Sequence, residues 1–248
     1  MNSKKQQKFS LIELLIVVAI IGILSSLVLP ALGKARKKAK IANCLSNQKQ
    51  IGISIFLYSG DNETHVPGHL SINGNSITYD DYLGIGYDGR NLTSSQMWAA
   101  YPGSPAKMYQ CPTDESNKSN PDVLRSYSMI QGVLNGNQAS KRGMVVEGSG
   151  ATMKLSSVKF PTTTIMTGEF HYWRNRLGRN SFGVMRAQDV QNSTSNGDLT
   201  WSHEKFKFNY LFTDGSAKGT HYMSTYLDTG KDPWGNNNTI GTMWDAQR

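Results

Sequence analysis

From Phe9 to Leu32 the chain reads FSLIELLIVVAIIGILSSLVLPAL. This almost unbroken apolar run carries one carboxylate, Glu13, near its start and one proline, Pro30, near its end. The 22 residues from Leu11 to Leu32 span about 33 Å as a helix, matching a hydrocarbon core of about 30 Å. A secretory signal core is shorter, about 7 to 15 residues, and ends at a small-residue site. Here the run is longer and passes into a further helical pattern, so the segment is expected to stay on the protein. A charge at the centre of a membrane helix costs about 2.5 to 3.5 kcal/mol on insertion scales, so Glu13 needs either a partner or an interfacial position.

Past Pro30 the pattern is still helical. Ile41, Cys44, Gln48, Ile51, Ile55 and Tyr58 recur at alternating steps of three and four, an apolar stripe with one polar interruption that suits a helix lying on a domain core. Ser59-Gly60-Asp61-Asn62 reads as the stop, with Gly60 placed for a left-handed C′ position. Membrane run and stripe thus form one helix of about 50 residues. Pro30, inside it, removes a backbone hydrogen bond and is expected to bend the axis.

The remainder is rich in Gly, Asn, Ser and Thr. Its strand-like stretches are Arg125–Gly132, Thr163–Gly168, Phe206–Phe212 and Ala217–Tyr222. Thr213-Asp214-Gly215-Ser216 reads as a hairpin turn between the last two, and residues 174–200 as a long excursion. The expected fold is α+β, a long N-terminal helix whose second half packs on an antiparallel sheet.

The net charge of +8 is concentrated at the ends of the apolar run. Lys4, Lys5 and Lys8 precede it, and Lys34, Arg36, Lys37, Lys38 and Lys40 follow it. Losing the first three lysines lowers the net charge from +8 to +5. With no nucleic-acid motif present, a basic collar at anionic lipid headgroups explains the excess better than a nucleic-acid partner. Counted alone, the flanking charges would place the C-terminal domain in the cytoplasm.

The basic leader, Phe9-Ser10-Leu11-Ile12-Glu13 and the apolar run together resemble the cleavage and methylation segment of type IV prepilins and type II secretion pseudopilins. The resemblance is specific over residues 4–32. It implies a leader at 1–8, a transmembrane and assembly helix at 9–32, an amphipathic continuation at 33–60 and a β-rich pilin-like domain at 61–248. It implies cleavage between Lys8 and Phe9 by a prepilin peptidase, with methylation of Phe9, although the family has glycine where Lys8 stands. It also implies pairing of Glu13 with the N-terminal amine of a neighbouring subunit, the other reading being a carboxylate that snorkels to headgroups. The implied partners are the peptidase, other pilin-like subunits, an inner-membrane assembly platform and membrane lipid. The implied location is single-pass in the inner membrane, with the C-terminal domain in the periplasm or an extracellular fibre.

Further along, Asn43-Cys44, Tyr58, Asp61-Asn62, Cys111-Pro112, Arg125-Ser126-Tyr127, Phe160-Pro161, Gly168-Glu169 and His203 through Asp214-Gly215 are similar to prepilin-like proteins of planctomycete and lentisphaere type. Ten residues separate His203 from Asp214, where that signature has nine.

Two cysteines suit one disulfide outside the cytoplasm and match no zinc-finger spacing. Cys44 lies on the stripe, and Cys111 ends a short extended segment, Met108–Gln110. A Cys44–Cys111 bridge would be worth on the order of 4 kcal/mol on the chain-entropy model. Two buried free thiols are the alternative. Glu169, His203 and Asp214 are residue types of acid–base and metal chemistry but lack compact spacing. A hydrogen-bonded structural histidine and a turn aspartate explain them, so neither catalysis, nor a metal, nor a cofactor is expected. Asp232-Pro233-Trp234-Gly235 is similar to a stretch near a calcium loop in major pseudopilins, though a turn covered by Trp234 accounts for it. The expected function is a structural subunit of a pilin-like or pseudopilin fibre, not an enzyme. A membrane-anchored binding module is the alternative, with residues 172, 173, 201, 210, 222, 226, 234 and 244 as aromatic platforms.

Overall fold

A computed structural model describes residues 10–98, 107–114, 124–132, 142–172, 175, 177, 184–187, 189–190, 203, 206–231 and 238–248. Its compact units divide at Lys40/Ile41, inside the first helix, α1 (Leu11–Asp61). In the first unit every described side chain is exposed. An apolar run with no charge between Glu13 and Lys34 satisfies its backbone groups internally as a helix and needs an apolar surround for its side chains. α1 runs through Pro30.

In the second unit the stripe is buried: Cys44, Gln48, Ile51 and Ile55 are fully covered. Gln48, its polar interruption, is satisfied because Nε2 donates to the Asn209 carbonyl at 2.9 Å. Gly60 is not the left-handed stop that its sequence position suggests. It lies within α1, and the chain reverses through Glu63 and Thr64, with φ of 49° and 66°. The Thr64 amide donates to the Ser59 carbonyl at 2.9 Å, which satisfies an open end of the helix.

The chain then forms a hairpin, β1 (Leu70–Ile72) and β2 (Asn75–Ile77), turned by Asn73 and Gly74, both at positive φ. Two short helices follow, α2 (Tyr79–Gly84) and α3 (Ser94–Met97). Met108 sits in a 3-10 turn, Lys107–Tyr109, and not in an extended segment; the turn carries Tyr109 inward, where it is fully buried.

The main sheet contains β3 (Tyr127–Gly132), β4 (Val145–Val146), β5 (Ile165–Glu169), β6 (Val184–Met185), β7 (Lys207–Phe212) and β8 (Ala217–His221). Its order is β4-β3-β5-β7-β8, with β6 also paired to β3. The β3, β5, β7 and β8 pairings are antiparallel, as a helix-backed meander requires. The two-residue strands β4 and β6 join β3 in parallel, so the sheet is mixed at that edge. β6 falls inside the 174–200 excursion.

Strand alternation divides the core between the two faces. Leu211 of β7 packs in the cluster that holds Ile51, Ile55, Tyr79, Tyr127 and Met129. Phe208, Tyr210 and Phe212 point the other way, into a cluster with Ile130, Ile165, Tyr222 and Trp244. Each such fully buried side chain contributes about 1.5 to 3 kcal/mol. Gly52 brings α1 close to β7: a Cβ there would stand 3.0 Å from Leu211 Cδ1.

Candidate functional site

At the start of α1, Ser10 and Glu13 cap the helix. The Ser10 amide donates to Glu13 Oε2 at 2.8 Å, and the Ile12 amide donates to Ser10 Oγ at 3.3 Å. This Ser-x-x-Glu reciprocity closes amides that otherwise lack partners. It gives Glu13 a local role that the spacing already announced and that sequence reasoning passed over. Lys8 and Phe9 lie outside the described residues. α1 is the one described helix long and apolar enough to cross a membrane, and the apolar window shows no burial within the protein.

A second constellation lies inside the β-domain. Cys44 of α1 and Cys111, just past the 3-10 turn, form a disulfide with Cα atoms 5.0 Å apart. Beside it are Glu169, at the end of β5, and His203, both buried. His203 Nε2 donates to Glu169 Oε1 at 2.7 Å. Asn209 holds the same carboxylate twice, its amide donating to Oε2 at 2.8 Å and its Nδ2 to Oε1 at 2.9 Å. The other histidine nitrogen, Nδ1, lies 3.4 Å from Thr113 Oγ1, which is itself 3.0 Å from Cys111 Sγ. Asp214 is not part of this group. It caps the β7–β8 turn, accepting from the Ser216 amide at 2.9 Å and hydroxyl at 2.7 Å, the role turn chemistry gives it.

The third constellation was invisible in the sequence. Arg125, fully buried, pairs with Asp80 and donates through Nε to Asn175 Oδ1 at 2.8 Å. Its guanidinium lies 5.3 Å from the centroid of the Tyr79 ring. Asp81 Oδ2 accepts from the Thr78 amide at 2.9 Å. Burial, then the Asp80 charge, push the Asp81 carboxyl well above the ordinary carboxylate range. Nearby His69 is pushed down to about 4, first by burial and then by the Arg125 charge. A cleft of about 590 Å³ opens where α1 ends, lined in part by Tyr58, Asp61, Asn62, Glu63, His65 and Tyr82.

Of the proposed aromatic platforms, Tyr210, Tyr222, Tyr226 and Trp244 are buried core. Trp244 donates through Nε1 to Thr225 Oγ1 at 2.8 Å, and Tyr172 stacks on Phe170. Trp173, Trp201 and Trp234 lie outside the described residues, as does all of Asp232–Gly235.

Residues 4–29 match the family described as Prokaryotic N-terminal methylation motif. The chain therefore carries a prepilin-type N-terminal segment, and the apolar helix that follows from it fits a single-pass membrane anchor. The match covers that segment alone and does not reach the β-domain. Comparison with curated proteins and with solved structures gives no match.

Proposed function

We propose that this chain is a structural subunit of a pilin-like fibre, of type IV pilus or type II secretion pseudopilus class, and not an enzyme. The observation that carries the reading is the exposed apolar half of α1, most of it inside the matched methylation segment, with Glu13 as its one acid. Hydrolysis of the Lys8–Phe9 bond frees an amine four residues before Glu13. In lipid the apolar face is solvated by acyl chains. In a fibre the same face packs against neighbouring copies, and the amine of one subunit neutralises Glu13 of the next, since opposite charges in a low-dielectric bundle are tolerable only when paired. The β-domain rides on the outer face of the inner membrane, where an oxidising compartment is compatible with the Cys44–Cys111 bridge.

The test has two parts. Mass spectrometry of the protein from native membranes should find Phe9 as a methylated N-terminus; an intact Met1 or Asn2 start overturns the processing step. Glu13→Leu should insert normally, because it removes a polar group from the span, yet give few or no fibres in a host that assembles the wild type. Wild-type fibre yield from Glu13→Leu refutes the assembly role.

A further inference from the structure

The buried group around the disulfide holds more than a disulfide needs. A cystine is apolar and asks for no carboxylate and no imidazole beside it. Yet Glu169 and His203 are brought there from β5 and from the chain ahead of β7, both almost wholly out of water. The two Cys Sγ atoms, a His203 ring nitrogen and a Glu169 carboxylate oxygen all lie within 4.8 Å of one another. A tetrahedral shell with bonds of about 2.0 to 2.3 Å sets ligand atoms about 3.3 to 3.8 Å apart, a spacing these side chains reach by small rotations once the sulfurs part. The supports behind the ligands are also in place. Asn209 fixes both oxygens of Glu169, and Thr113 Oγ1 stands at Nδ1 of His203, leaving Nε2 turned towards the carboxylate. Outer partners of this kind set the orientation and tautomer of metal ligands.

We propose that Cys44, Cys111, Glu169 and His203 form a two-state site: a disulfide when oxidised, and a four-ligand site for a zinc-class divalent cation when reduced. Two thiolates, one imidazole and one carboxylate suit zinc, and the thiolates disfavour calcium and magnesium, which take oxygen ligands. The chemistry balances in two steps. A dithiol reductant donates two electrons to the bridge, becomes a disulfide itself and leaves two protein thiols. The cation then forms two sulfur bonds as the thiols release two protons. His203 ligates through Nε2 as a neutral ring in its other tautomer: Nε2 gives a proton up to solvent, and Nδ1 takes one from solvent and donates it in a hydrogen bond to Thr113 Oγ1. A small disulfide oxidant reverses the sequence and expels the metal, so metal and bridge exclude each other whether or not the chain polymerises.

The full chain in detergent micelles, reduced with a phosphine that is then removed without air, is titrated with Co²⁺ and then Zn²⁺. The expected result is one cobalt per chain, with visible bands of tetrahedral coordination and near-ultraviolet sulfur-to-metal charge transfer, both abolished by Zn²⁺. The oxidised chain should show neither band. His203→Gln and Glu169→Gln should each weaken zinc binding by about tenfold or more. Absence of the bands in a reduced chain of native circular dichroism overturns the proposal. So do equal bands in the oxidised chain or in Cys44→Ser/Cys111→Ser, and so does unchanged zinc affinity in His203→Gln. If the reduced, metal-free chain unfolds, refolding with Zn²⁺ decides: native dichroism with one bound zinc supports the site, and failure to refold refutes it.

Discussion

Arg125→Met is the substitution that most directly probes how the β-domain is held together. The native side chain is fully buried, paired with Asp80, bonded to Asn175 and set over Tyr79. Methionine fills much of the same volume but strands Asp80, itself fully buried, beside the Asp81 carboxyl. Breaking a buried pair from one side is worth about 3 to 5 kcal/mol, because the remaining charge keeps its desolvation penalty and loses its partner. For a unit of this size that is a fall in Tm on the order of 10 °C. The assay is thermal and urea unfolding of the full chain in micelles, followed by tryptophan emission, with buried Trp244 among the reporters. Asp80→Asn on top of Arg125→Met removes the stranded charge and should restore much of the loss. A single-variant loss under about 1 kcal/mol, or a double variant no better than the single, would refute the charge argument and leave only packing over Tyr79.

Two other predictions concern the same domain. His69 falls from its ordinary value near 6.5 to about 4 in the folded chain, so the unfolded chain binds the extra proton between those values. Stability should therefore drop as pH falls from about 6.5 to about 4, by up to about 3 kcal/mol; the Asp81 contribution runs in the opposite sense, so the difference between wild type and His69→Gln isolates this slope, and identical pH profiles would exclude it. Gly52→Val should lose about 1 to 3 kcal/mol by driving α1 off Leu211, whereas Gly60→Ala, with open space at its Cβ, should gain about 0.4 to 1 kcal/mol; paired unfolding curves check both.

Features whose cause lies close along the chain were readable in the sequence. The Ile41–Tyr58 stripe meets the core because helical period and burial are the same fact. The β7–β8 hairpin was legible because Asp214-Gly215 supplies its turn, and Gly215 does take φ of 83°. Asn73-Gly74 carried an equally plain signal for β1–β2 that went unread, since the flanking strands have only three residues each. Gly60 misled because glycine permits a left-handed turn without requiring one. β4 and β6 have two residues each, too few for any alternation to show. The Asp80–Arg125 pair and the Glu169–His203 contact join residues 45 and 34 apart, and nothing local marks such partners. Residue chemistry made Glu169, His203 and Asp214 candidates together, and turn chemistry already set Asp214 apart; only the fold shows that Glu169 and His203 meet.

The position of the Cys44–Cys111 bridge also decides how the molecule carries a mechanical load. A pull delivered along α1 from its N-terminal end reaches Cys44 and there meets a covalent shortcut to Cys111. Residues 45–110, including the later turns of α1, the β1–β2 hairpin and the two short helices, lie in the bypassed loop and cannot be drawn out while the bridge is closed. Past the bridge, the next segment free to yield begins beyond Cys111. A protease that nicks the bypassed loop likewise leaves one covalent molecule, which separates into two fragments only on reduction and denaturation.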